Sequence, residues 1–233
     1  MTLQHAGDII ALEFLHDGYL ASSNGNGEVT LWETATGTRV RAVDAHSYIT
    51  CFSASRTRLA FGTRDNTVQM WDAAPWDLVL DATSWKCISS FECDDWVRSV
   101  ALIPSCERVA ACTEEMIYVW EMVTQQLIAR NLSRGRDVAV SRDGKWLAVA
   151  SSKTILYDAS TLDCIWSHDI ECNSVSFSPD SHQLVCGHSG GVQLLNVQAG
   201  SRVNSFQHES VQRAVFFHDG TRVISGKSCS FAL

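Results

Sequence analysis

Two residue pairs in this chain have a spacing loosely like that of metal ligands: Cys164 with His168, and Cys186 with His188. Thiol and imidazole are the donors that zinc favours. Cys186 nevertheless lies within an apolar, strand-like run, and strand alternation would separate such residues between faces. Nine cysteines are present, an odd number, and most fall inside apolar strand patterns, so reduced and buried thiols are expected rather than disulfides. A CxxC pair occurs nowhere, and a Gly-rich phosphate loop, a nucleophile elbow and an HExxH sequence are also missing. No catalytic residue, metal site or cofactor is therefore expected. Catalytic groups carried on separate elements would leave no local motif, which keeps a hydrolase-like site in a central channel as the alternative.

The elements that would position such residues repeat along the chain. A first strand pattern recurs at 11–14, 50–53, 100–104, 138–141, 175–178 and 214–217. Polar turns such as SRDG (141–144) and SPDS (178–181) follow most copies, with Asp and Gly accommodating the reversal. A second, nearly continuous apolar strand comes next, as in RLAFG (58–62) and WLAVA (146–150), which suits a strand buried on both faces. A third strand closes at Trp32, Trp71, Trp120, Tyr157, Leu195 and Leu233, and a more polar fourth strand completes five of the six copies. Four short antiparallel strands in a repeat of roughly forty residues is the arithmetic of a propeller blade.

Composition agrees with that reading. The chain has 233 residues, of which 45% are apolar, and a formal net charge of −8. Such a charge argues against general attraction to nucleic acid or anionic lipid. The start, MTLQHAGDII, lacks a basic leader and an apolar run, and no segment reaches the length of a membrane span. An intracellular protein, cytoplasmic or nuclear, is expected.

The Trp-Asp at 71 and 72, the turn SPDS, and His46 some way before Trp71 make the chain resemble the WD-repeat family, and the likeness covers nearly its whole length. The resemblance implies an all-β fold, a β-propeller of about six four-stranded blades with the last one incomplete in this chain. It implies one array over 1–233, with repeats near 5–43, 44–91, 92–130, 131–167, 168–206 and 207–233. It also implies a hydrogen-bonded set in each repeat: a His before the first strand, a hydroxyl on the second, an Asp in the second turn and a Trp closing the third. Repeat two matches with His46, Asp65 and Trp71, although Phe61 replaces the hydroxyl residue. Repeat one offers His5, Ser22 and Trp32 with Asn26 in the Asp place, and repeat three offers Glu114 and Trp120 with Cys93 in the His place. His168 and His208 occupy the His place in repeats five and six, which lack the Trp.

Two features depart from a regular ring. The last repeat stops at its third strand, leaving Met1–Gln4 as the only available fourth strand, so the chain is either a six-bladed ring or a fragment of a larger propeller. Between Trp71 and Lys86 lies an insertion with Trp76 and Trp85, read as a loop covering the propeller rim.

The resemblance implies a non-catalytic scaffold that presents a rigid face to protein partners, a sensor or recruitment module. Aligned repeats put Tyr48, Trp96, Arg98, Arg134 and Arg136 on the face around the channel, with Arg64 joining from the second turn of repeat two. Arg, Trp and Tyr dominate binding energy at interfaces. A cationic, aromatic-lined notch over blades two to four is therefore expected, taking an acidic or phosphorylated segment. A nucleic-acid-binding propeller is the remaining alternative.

Overall fold

The computed structural model describes residues 8–15, 18–55, 57–72, 86–131 and 134–227. The Met1–Gln4 strand, His5, the insertion at 73–85 and the strand at 229–233 lie outside the described residues.

Alternating apolar runs separated by tight polar turns fold into successive antiparallel sheets. Blade one is β1 (Ile9–Phe14), β2 (Tyr19–Asn24), β3 (Glu28–Glu33) and β4 (Arg39–Asp44). Blade two is β5 (Ile49–Ala54), β6 (Arg58–Thr63), β7 (Thr67–Asp72) and β8 (Lys86–Glu92). Blade three is β9 (Ser99–Ile103), β10 (Arg108–Cys112), β11 (Ile117–Glu121) and β12 (Leu127–Asn131). Blade four is β13 (Asp137–Val140), β14 (Trp146–Ala150), β15 (Thr154–Asp158) and β16 (Cys164–His168). Blade five is β17 (Ser174–Phe177), β18 (Gln183–His188), β19 (Gly191–Asn196) and β20 (Arg202–Gln207), and of blade six β21 (Arg213–Phe216) and β22 (Val223–Gly226) are described. A 3₁₀ turn, Pro104–Cys106, joins β9 to β10. Among the described residues no helix is long and apolar enough to cross a membrane.

The core is a series of apolar slabs between neighbouring blades. Phe61, Leu59 and Trp71 of blade two pack on Val29 and Leu31 of blade one, while Met70 and Val68 face Val109, Tyr118 and Trp120 of blade three. The same sandwiching recurs between blades three and four, four and five, and five and six. Blades two to five thus bury both faces, which explains the unbroken apolar runs of their second strands. On the outside, the fourth strand of each of the five complete sheets carries a bulge, at Val40, Ile88, Ile128, Ile165 and Val203, between the partners of the two residues that precede the last residue of the third strand. A bulge twists an edge strand and blunts its readiness to pair with another chain.

The inner strands are the other free edges, and their channel-facing N–H groups need acceptors. Side chains from the preceding blade supply them. Ser53 Oγ accepts from Leu102 N at 3.1 Å, Ser99 Oγ from Val138 N at 3.3 Å, Asp137 Oδ2 from Val175 N at 3.1 Å and Ser174 Oγ from Ala214 N at 2.8 Å. Ser99 also donates to Asp137 Oδ1 at 2.7 Å. Arg213 stands in the register of Ser99, Asp137 and Ser174. It has no acceptor to offer and reaches across to Asp137 at 3.7 Å. Burial pushes the Asp137 carboxyl up, opposed by Arg213 and by its hydrogen bonds to Ser99, Val175 N and Val138 N. Glu13 occupies on β1 the register of Ser53 on β5, and burial pushes it up to about 7 against the pull of Arg213.

The expected network of His46, Asp65 and Trp71 in blade two is not formed. His46 has a left-handed backbone, φ 54°, and its ring points outward, 85% exposed, beside Asp44. Asp44 also captures the His46 N–H at 2.7 Å, so a local Asx turn replaces the long-range bond. Asp65 instead accepts from Ser47 Oγ, and the Trp71 indole donates to Gln69 Oε1 at 3.1 Å. Phe61, where blade one has Ser22, provides no acceptor for Trp71 and packs against its ring at 5.9 Å. In blade one, where the hydroxyl is present, Trp32 Nε1 donates to Ser22 Oγ at 2.7 Å. Blade three builds a different set: Asp94 Oδ1 accepts from Thr113 Oγ1 at 2.9 Å and from the Tyr118 hydroxyl at 2.7 Å. Tyr118 stacks on Trp120 with centroids 5.1 Å apart.

Two stability predictions follow from these contacts. Burial alone would raise the Asp94 carboxyl, but the bonds from Tyr118 and Thr113 outweigh it and hold the group below its ordinary value. Asp94→Ala should cost on the order of 1 kcal/mol at neutral pH, and Asp65→Ala about 0.5 kcal/mol or less, measured by urea denaturation. A depressed carboxyl stabilises above its unfolded pKa, so the Asp94 deficit should vanish as pH falls through the folded value. Equal costs for the two variants would contradict the assignment. Glu13 has the opposite sign. Its folded pKa is raised, so stability is lost as pH rises from the ordinary carboxylate value of 4.5 to about 7. Glu13→Gln should therefore gain stability relative to the parent between pH 4.5 and pH 8, and a difference independent of pH would refute the effect.

Candidate protein-interaction surface

In a four-stranded antiparallel meander, the start of the first strand, the turn between the second and third, and the end of the fourth all lie at one end. That end of blades two, three and four carries all six residues expected to bind a partner. Tyr48 precedes β5, Arg64 follows β6, Trp96 and Arg98 precede β9, and Arg134 and Arg136 precede β13.

The linker from β8 to β9 is tightly held. Val97 is fully buried in the slab between blades two and three, its N–H donates to Thr63 O at 3.2 Å, and its carbonyl accepts from Thr50 Oγ1. With Val97 inserted, its neighbour Trp96 is directed outward and is 54% exposed. Asp95 Oδ1 accepts the Trp96 N–H at 2.7 Å and fixes the backbone there. Tyr48 is placed from the other side. Its ring lies against Gly25 of blade one, where a Cβ would come within 3.0 Å of Cε2, and its carbonyl accepts from Arg64 N at 3.0 Å.

Arg64 enters between these two aromatic residues. Its guanidinium carbon is 4.0 Å from the Tyr48 ring centroid and 4.9 Å from that of Trp96. A cation over the face of an aromatic ring is attracted by the ring quadrupole, and two such contacts order a side chain that would otherwise sample many rotamers. Among the described residues this guanidinium makes no ion pair with a carboxylate.

The other three arginines differ. Arg98 bonds Glu114 at 2.6 Å, Arg134 lies 3.7 Å from Glu115, and Arg136 pairs with Glu171 and donates to Asn173 Oδ1 at 3.0 Å. The expected cationic notch is thus a ladder of exposed, compensated pairs with one uncompensated guanidinium at its edge, on Arg64. Such pairs contribute little to stability. They tie blade three to blade four, and four to five, through Arg134–Glu115 and Arg136–Glu171.

The metal-like pairs are drawn into other contacts. His168 Nε2 lies 2.6 Å from Gly200 O of blade five, and its ring packs on Trp166. His188 Nδ1 accepts from Gly190 N at 3.1 Å. Cys186 is buried beside Cys172 in the slab between blades four and five.

Sequence reasoning missed the channel set of Ser99, Asp137 and Ser174 and the blade-three set of Asp94, Thr113 and Tyr118. The first had a signal: a polar residue stands directly before the apolar run of each of those first strands. The second had none, because Tyr118 reads as one more apolar position of β11.

The sequence profile of the family described as "WD domain, G-beta repeat" matches residues 37–72 and 85–121. The chain is 22% identical over 223 residues to the transcriptional corepressor LEUNIG_HOMOLOG of Arabidopsis thaliana, covering 91% of this chain and 28% of that protein. It is 38% identical over 80 residues to the small ribosomal subunit protein RACK1z of Oryza sativa subsp. japonica, covering 33% of this chain and 24% of that protein. The chain thus spans less than a third of the length of either relative. Among solved structures, a chain of the mitotic checkpoint complex superposes with a TM-score of 0.78 at 17% identity, over 94% of this chain and 71% of that one. That likeness concerns the fold. Taken with the matched repeats and the row of four-stranded blades, these similarities make the chain a WD-repeat protein with a β-propeller fold.

Proposed function

We propose that this chain is a non-catalytic protein-interaction module, working inside the cell, whose partners dock on the rim formed by the linkers and second turns of blades two to four. The observation that carries this reading is the guanidinium of Arg64 between the half-buried ring of Tyr48 and the exposed ring of Trp96. It places the three residue types that dominate interfaces in one small area, already fixed in position before a partner arrives. Arg98, Arg134 and Arg136 border the area, and their glutamates are exposed enough to be exchanged for anions of a partner. The segment bound is acidic or phosphorylated. The two relatives, a transcriptional corepressor and a small ribosomal subunit protein, are compatible with a role inside larger assemblies.

A channel enzyme is less well supported. Asp137 has every oxygen engaged, by Ser99, Val138 N, Val175 N and Arg213, as a structural carboxylate does.

Quantitative affinity capture from the source cells tests the surface. Trp96→Ala should lose a defined set of partners while its unfolding midpoint stays near the parent's. Lys145→Glu, on the opposite end of blade four, should retain them. If Trp96→Ala captures the same set as the parent, the docking face lies elsewhere.

A further inference from the structure

The chemistry of the docking segment can be narrowed from the charges around Arg64, on the reading that this rim is the docking face. We propose that the Tyr48–Arg64–Trp96 clamp recognises a single carboxylate, an aspartate or glutamate side chain of the partner protein flanked by aliphatic residues, in preference to a phosphate.

The local charge balance supports the choice. Arg64 brings one positive charge, and Arg98, Arg134 and Arg136 already face glutamates. Asp65 follows Arg64 in the same turn and is held there by Ser47. Asp95 precedes Trp96 and is held by the Trp96 N–H. An incoming anion therefore meets one guanidinium with two fixed carboxylates close by. A monoanion neutralises the guanidinium with little residual repulsion. A phosphoserine, carrying about −1.5 to −2 at neutral pH, would bring excess charge to a rim where, among the described residues, the other three arginines are already paired with glutamates. Sites that take phosphate usually cluster several arginines for that reason.

Geometry agrees with charge. The guanidinium carbon stands over both rings, and among the described residues no carboxylate pairs with its N–H edge, which leaves that edge for an incoming acceptor. A planar carboxylate matches that edge by a bidentate, in-plane pair. The exposed Trp96 ring, with the half-buried Tyr48 beside it, then offers apolar area to the residues flanking the carboxylate.

The test uses the whole chain, isotopically labelled, and two probe peptides, acetyl-Leu-Glu-Leu-amide and acetyl-Leu-phosphoSer-Leu-amide. Nuclear magnetic resonance follows the Trp96 indole N–H and the Arg64 guanidinium N–H during titration. The glutamate peptide should shift both signals saturably, and the phosphoserine peptide should bind about threefold more weakly or worse, the scale of one exposed charge interaction. Arg64→Gln should remove the glutamate-dependent shift of Trp96, and Arg64→Lys, which keeps the charge but not the fork, should weaken it several-fold. Equal or tighter binding of the phosphoserine peptide would overturn the proposal, as would shifts that survive Arg64→Gln or the absence of any shift. Should the proposal fail while partner capture still depends on Trp96, the docking face stands and only its chemistry is wrong. Loss of the Trp96 dependence would instead remove the face itself.

Discussion

Every inner strand of this propeller is the edge of a sheet, and an edge that faces a narrow channel leaves backbone N–H groups with no strand to pair with. Leaving them unmet would cost more than almost any single surface contact contributes. The chain meets the demand with a side chain borrowed from the preceding blade: Ser53 for Leu102, Ser99 for Val138, Asp137 for Val175 and Ser174 for Ala214. These bonds do what apolar slabs cannot. Slabs between blades are non-directional and would tolerate sliding, whereas a hydroxyl on one strand aimed at an amide on the next sets the offset between neighbours. The donor-only Arg213 marks where the series stops.

The binding rim depends on that offset. Tyr48 belongs to the linker entering blade two, Arg64 to a turn of blade two, and Trp96 to the linker entering blade three. Their stack therefore exists only if blades one, two and three keep their relative positions. Gly25 makes room for Tyr48 from blade one, and Thr50 ties blade two to the Val97 backbone beside Trp96. No one of these residues makes a site alone. The row of packed blades brings together groups that lie far apart in sequence, and surface ion pairs compensate Arg98, Arg134 and Arg136 there.

How much of this was legible in the residues depends on the range of the interaction. The strand order of the five complete blades and their buried second strands were readable, because periodic apolar runs and Asp-Gly turns act over a few residues. The rim positions were also readable, since repeat alignment fixes which residues flank each turn. Side-chain partners were not. His46 was expected to reach Asp65 and Trp71, but Asp44, two residues away, competes for it at almost no entropic cost. Phe61 removed the acceptor that Ser22 supplies to Trp32 in blade one. The glutamates that balance Arg98, Arg134 and Arg136 lie 16, 19 and 35 positions away and become neighbours only through the fold.

The channel caps set the offset between blades, and amide hydrogen exchange of the native chain reads them residue by residue. Leu102, Val138, Val175 and Ala214 donate to no backbone acceptor across the channel, so bare strand edges there would exchange at rates set by local fluctuation. With the caps in place these four amides should be protected to nearly the level of the buried second strands, and Ser174→Ala should accelerate Ala214 while leaving Val138 slow. Rapid exchange of the four amides in the parent, or an Ala214 rate untouched by Ser174→Ala, would show that something other than these side chains sets the blades in place.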